Sequence, residues 1–259
     1  MNFALPDINL VAVLPELILL AAAVGVLFLR APGSNGTALG TALAAVALSV
    51  FMTPFLYGGL SVTAFSGAIA KDDAALFFIF LADLAVLVAL ALSRNDTAGD
   101  ENGEAYYGLL LFALFGMHVM ISARDLLVLF LGLEILSLPF YVLTGFHRKR
   151  KEGLEGAVKY FLLGSFSSAL FLLGIALYYG AAGTTSLGAL ASAGQPVFFF
   201  AGLAFVTAGL AFKIAAVPFH MWAPDVYEGA PLSVAACISV APKVAAFAVL
   251  LHLGLLYAG

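Results

Sequence analysis

Charge is scarce in this chain of 259 residues: only 10% are Asp, Glu, Lys or Arg, against about a quarter in an ordinary soluble domain, while 63% are hydrophobic. That balance excludes a typical cytosolic enzyme. Cysteine is nearly absent as well. The single Cys237 excludes an internal disulfide and, with no Cys-x-x-Cys pair, a zinc or iron–sulfur cage. No two glycines are spaced as G-x-G, so dinucleotide and kinase-type phosphate loops are missing. A net charge of −4 with pI near 5.5 offers no basic surface to nucleic acid. The chain also lacks the basic start and small-residue cleavage site of a signal peptide: its first charges are Asp7 and Glu16 and its first basic residue is Arg30, so the N-terminal helix is expected to be retained.

What is present comes in apolar runs of roughly twenty residues, the length a helix needs to cross a ~30 Å hydrocarbon core at 1.5 Å per residue. The expected fold is an all-α polytopic membrane protein with about eight transmembrane helices. Breakers place them near Leu10–Leu29, Ala38–Tyr57, Asp73–Leu92, Ala105–Ile121, Asp125–Phe146, Glu155–Tyr179, Pro196–Tyr227 and Leu232–Tyr257. The seventh run contains Pro218 and Pro224 and is too long for one straight span, so it is expected to break near Ala216–Pro218. Three helices over 1–94, a polar and mobile loop over 95–104 and five helices over 105–259 make up the expected organisation. Gly36 and Gly40 fit the close-packing G-x-x-x-G pattern, a weak signal in so glycine-rich a chain.

Loop charges give an orientation. Arg30, Arg94 and the run Arg148–Lys151 fall on one side, Lys71 and Arg124 on the other, so the first side is expected to be cytoplasmic and both termini external. The basic run reads as a topology anchor on anionic lipid or a docking point for a peripheral subunit. Of the 11 basic residues only Lys159, Lys213 and Lys243 then remain, all inside expected helices.

Glu134 lies ~14 Å into its helix and Lys243 ~16 Å into the last one, both near the midplane. Lys213 precedes Pro218 by five residues, where a broken helix lines a wet cavity in transporters. Lys159 sits about one turn from a helix end and has snorkelling as its simpler reading. A lone charge at mid-bilayer costs about 2.5–3.5 kcal/mol on insertion scales and usually marks an ion or proton path. One acid and three amines in consecutive helices therefore read as a proton relay, in which burial and neighbouring charges bring proton exchange near neutral pH. The competing reading is a permanent Glu134–lysine pair that holds helices together. His220, seven residues after Lys213, would share its helix face and extend the path, or be a satisfied structural histidine. Asp83, mid-way along the third helix, is an orphan acid, and His118 and His252 read as packing or interfacial residues. Asp225 and Glu228, after Pro224, would cap the resumed helix, join a water path or be solvated.

The run Gly209-Leu-Ala-Phe-Lys213-Ile-Ala-Ala-Val-Pro218-Phe-His220-Met-Trp222-Ala-Pro224-Asp-Val-Tyr-Glu-Gly-Ala-Pro231 resembles the N-type antiporter-like subunits of proton-translocating NADH-quinone oxidoreductase, respiratory complex I. Leu133-Glu134-Ile-Leu-Ser-Leu-Pro139 and Glu155-Gly-Ala-Val-Lys159-Tyr-Phe-Leu-Leu-Gly-Ser support the likeness. The resemblance implies a longer fold with two inverted five-helix repeats, each with one helix broken at mid-membrane. This chain would carry the first repeat, preceded by three helices. It further implies that Glu134, Lys213 and Lys243 relay protons, with Lys159 and His220 secondary. The chain itself would hold no cofactor. NADH, FMN, iron–sulfur clusters and quinone would belong to partner subunits, and other membrane-arm subunits and lipids would be its partners in the cell inner membrane. A cation/proton antiporter subunit without a redox partner, and a structural scaffold, are the alternatives. Two departures stand out. The chain stops at Gly259, where the first repeat should close, and Pro231-Leu-Ser-Val replaces the Pro-Thr-Pro-Val frequent in relatives.

Overall fold

The computed structural model describes residues 9–28, 35–56, 62–98, 100, 102–188 and 196–258. Asp7, Leu29, Arg30 and Tyr57, used in the sequence reading, lie outside them. Nine helices and two short strands are described: α1 Leu14–Phe28, α2 Asn35–Leu56, β1 Val62–Ala64, β2 Ile69–Lys71, α3 Asp73–Leu92, α4 Gly103–Ser122, α5 Leu126–Thr144, α6 Lys151–Ala182, α7 Pro196–Lys213, α8 Ala223–Gly229 and α9 Leu232–Ala258. Six of these are long and apolar enough to cross a membrane, and the shorter apolar helices Leu14–Phe28 and Val197–Lys213 occupy the first and seventh expected spans. The lateral faces fit that reading: Leu131, Leu138 and Val142 on α5 and Val158, Leu162 and Phe166 on α6 are exposed, an apolar coat suited to lipid.

Local chemistry sets the ends. Asp72 accepts from the Ala75 N–H at 2.8 Å and starts α3, while Asp125 accepts from the Leu127 and Val128 N–H groups at 2.8 and 3.3 Å and starts α5. Gly183, in the left-handed region at φ 70°, stops α6. That helix runs further than expected from its apolar residues, because its first turn continues through the polar Lys151–Leu154. Helices α4 and α5 touch backbone to backbone: a Cβ on Gly132 would lie 2.6 Å from the Met120 nitrogen. At Gly36 and Gly40, the weak pattern match, a Cβ would meet nothing within 4 Å, so neither makes a close helix contact among the described residues.

The hairpin of β1 and β2 was not anticipated, because each strand has only three residues and no run long enough to show alternation. Its strands pair antiparallel with Val62 opposite Lys71, and it packs on Ala12 and Val13 ahead of α1. Described residues of the polar 95–104 segment make hydrogen bonds to distant helices. Asp96 accepts the Ser233 N–H at 2.9 Å and its hydroxyl at 2.5 Å, capping α9 from a distant part of the chain. Asn35 donates to the Thr97 and Asp100 carbonyls at 3.3 and 2.9 Å.

Candidate proton-relay site

The seventh span breaks where its prolines indicate. Helix α7 ends at Lys213 and α8 resumes at Ala223, so the ladder is lost over nine residues that include Pro218. The carbonyls freed at the end of α7 are gathered locally. Leu210 O accepts from Ile214 N at 3.2 Å, Ala211 O from Ala216 N at 2.9 Å and Phe212 O from Ala215 N at 3.1 Å, with Ala215 at φ 55°. Phe212 O also accepts the Trp222 indole N–H at 3.1 Å, which ties the two sides of the break together.

Lys213 therefore stands at a helix terminus inside the protein, 3% exposed, and its ammonium has no hydrogen-bond partner among the described residues. Three rings surround it instead: Tyr141, Tyr160 and Phe212, with centroids 5.5, 5.6 and 5.8 Å from Nζ. Glu134, near the middle of α5, is half-buried and accepts a short hydrogen bond from Ser168 of α6. No ion pair within 4.0 Å joins Glu134 to a lysine among the described residues. The contact pair that the sequence left as the alternative is not present among the described residues.

Lys243, also half-buried near the middle of α9, follows Pro242, which removes the N–H that would bond one turn back. Its Nζ lies 5.8 Å from the Tyr227 ring centroid. Aromatic contacts connect the two lysine sites: Tyr160 stacks on Trp222 at 4.4 Å, and Trp222 meets Tyr227 at 6.2 Å. The Tyr227 hydroxyl is buried and has no hydrogen-bond partner among the described residues. Ser168, Tyr141, Tyr160, Trp222 and Tyr227 were not singled out as site residues from sequence. In an aromatic-rich chain, only the fold shows which rings face the amines.

Two secondary candidates stand apart. Lys159 is 41% exposed and pairs with Glu155 at 2.6 Å and Asp225 at 2.9 Å, joining α6 to α8. A close backbone approach sets that pair, since a Cβ on Gly156 would lie 2.8 Å from the Asp225 carbonyl oxygen. Arg150 adds a 3.1 Å bond to the Glu228 carbonyl. His220 does not share a helix face with Lys213, because the helix that would carry both stops at Lys213, and its side chain is exposed. The break that justified Lys213 removes the periodicity argument for His220.

Residues 123–258, just over half of the chain, match the family described as NADH:quinone oxidoreductase/Mrp antiporter, TM. The chain belongs to this family. It is 44% identical over 256 residues to NADH-quinone oxidoreductase subunit N 2 of Rhizobium meliloti (strain 1021), covering 93% of this chain and 52% of that protein. Among solved structures it is similar to a chain of respiratory complex I from Thermus thermophilus with bound aureothin, with TM-score 0.81, 37% identity and coverage of 92% of this chain and 52% of that one. A chain of the membrane-bound sulfane sulfur reductase, an archaeal respiratory membrane complex, matches with TM-score 0.81 and 27% identity over the same shares. The chain thus spans about half the length of the relatives it matches. The family's match covers Glu134, Lys159, Lys213, His220 and Lys243, and begins after α4.

Proposed function

We propose that this chain works in the membrane arm of an NADH-quinone oxidoreductase, moving protons in step with electron transfer from NADH to quinone in partner subunits. Glu134, Lys213 and Lys243 are the exchanging groups, while Lys159 and His220 are secondary. Residues 105–259 carry the relay as a five-helix unit, and residues 1–94 flank it. The membrane is the cell inner membrane, with both termini on the outer, periplasmic side, and the contacts are other membrane-arm subunits and lipid. NADH, FMN, iron–sulfur clusters and quinone belong to the partners on this reading. A lone cysteine does not fit a cluster that takes four thiolates.

One observation carries the proposal: the Lys213 ammonium is buried at a helix break without a hydrogen-bond partner or an ion pair among the described residues. A salt bridge in contact would hold its charges in place. An amine without a contact counter-ion can lose and regain its proton without breaking a salt bridge.

Glu134→Gln in the assembled enzyme tests it. Gln keeps the shape and can still accept from Ser168, so assembly and NADH oxidation with artificial acceptors persist, while proton translocation per NADH falls. Unchanged translocation sinks the reading. Sodium-dependent transport that continues without NADH would assign the chain to an antiporter role instead.

A further inference from the structure

A second set of ionisable side chains is buried away from the relay, among the first four helices and the hairpin. Asp83 of α3, His118 of α4, Glu16 of α1 and Lys71 of β2 are 0%, 0%, 5% and 2% exposed. They form a line. Ser49 of α2 donates to Asp83 Oδ2 at 2.7 Å, His118 Nε2 meets Asp83 Oδ1 at 2.8 Å, His118 Nδ1 faces Glu16 Oε1 at 3.5 Å, and Lys71 Nζ lies 2.8 Å from both Glu16 oxygens. The sequence reading placed Lys71 in a loop, took Asp83 as an orphan acid and gave His118 a packing or interfacial role. The hairpin turns Lys71 inward, and helix packing brings the other three together.

Charge counting shows why this is more than a clasp. With His118 neutral the set holds two carboxylates and one ammonium, a net charge of −1 in a buried place. With His118 protonated it is neutral. One proton therefore decides whether the site carries an uncompensated charge. The geometry also leaves room for that proton to move. His118 Nδ1 is buried and, at 3.5 Å from Glu16 Oε1, makes no hydrogen bond of ordinary length, while Lys71 already holds that oxygen at 2.8 Å. A purely structural network tends to satisfy every buried polar atom.

We propose that Asp83, His118, Glu16 and Lys71 form a second proton-binding site, in which the imidazole of His118 takes up one proton from the hairpin side and later returns it. Uptake forms one N–H bond on the ring and release breaks it, with no other species consumed. Around His118, α1 contributes Glu16, β2 Lys71, α3 Asp83 and α2 the neutral Ser49. The remaining neighbours α5 and α9 offer it no charged partner among the described residues. The line runs from Lys71, two residues ahead of α3, to Asp83, ten residues into that helix. It does not touch Glu134, Lys213 or Lys243. The site does not depend on the pumping role proposed above.

The test uses the protein in its native membrane assembly, with histidine labelled at the ring nitrogens. Solid-state NMR follows His118, identified as the signal lost in His118→Gln, from about pH 5 to about pH 10. The expected result is a reversible change between neutral and charged ring, with a midpoint that moves by about one pH unit or more in Asp83→Asn and in Glu16→Gln. A ring that keeps one charge state throughout overturns the proposal and makes the quartet a fixed clasp. A midpoint indifferent to both substitutions overturns it too, since the four groups would not then act as one site. Proton translocation by His118→Gln is measured separately, so failure of the relay and failure of this site remain distinguishable.

Discussion

Replacing Lys213 by Met separates a functional amine from a structural one, because the two readings predict opposite signs for stability. An ammonium at this depth disfavours the folded membrane state by about 2.5–3.5 kcal/mol relative to an apolar side chain. Three rings offset part of that, yet they share one cation at 5.5 to 5.8 Å, close to the ~6 Å limit, so their combined contribution is about 1–2 kcal/mol. Met is one atom shorter than Lys, and the small void it leaves costs about 1 kcal/mol or less. The balance lies between roughly zero and 2 kcal/mol in favour of Lys213→Met. Were Lys213 instead half of a buried contact pair, its removal would strand a carboxylate and destabilise by about 3–5 kcal/mol. Reversible unfolding of the assembled protein in mixed micelles, wild type against variant, measures the difference, and vesicle acidification measures transport. The expected outcome is equal or higher stability together with loss of proton movement. Destabilisation of about 3 kcal/mol or more would refute the description of Lys213 as an unpaired amine.

Other consequences are as specific. Trp222→Phe keeps much of the stack on Tyr160 but removes the indole donor to the Phe212 carbonyl, which keeps its bond from Ala215 N, and should destabilise by about 0.5–1.5 kcal/mol, read in the same unfolding assay. Asp96→Ala removes the acceptor that caps α9 at Ser233 and should cost about 1–2 kcal/mol, with faster amide exchange confined to the first turn of α9. Asp72 gives a pH dependence: burial pushes its carboxyl up, but the Ala75 N–H and the Arg124 guanidinium at 2.6 Å outweigh it and hold the group below the usual aspartate range. With the folded value depressed, this contribution is complete above about pH 4 and is lost as pH falls through the folded value. Asp72→Asn should therefore flatten the acid limb of the stability curve, by a modest amount because the side chain is 41% exposed.

How much of this could be read without coordinates depends on the kind of physics involved. Runs of about twenty apolar residues, the two prolines of the seventh run and the depth of Glu134 and Lys243 are one-dimensional quantities. The eight-span pattern, the break after Lys213 and the central acid and amine were therefore legible from the sequence. Asp83 and His118 were visible as polar residues in apolar helices, but what satisfies them was not. Their partners are 35 residues apart in sequence, and a third, Glu16, comes from another helix still. The burial of Lys71 was not legible for a related reason. A three-residue strand leaves no periodic signal, and only the packing of the hairpin on Ala12 and Val13 turns its amine toward Glu16. The rings around Lys213 belong to the same class: three helices supply Tyr141, Tyr160 and Phe212, and their convergence follows from backbone contacts that glycines permit. Hydropathy and helix breaks are properties of the chain taken residue by residue, so the sequence by itself determined which side chains are driven to membrane depth. Which of them meet is settled by close approach between helices far apart in the chain, and that was decided by the tertiary structure alone.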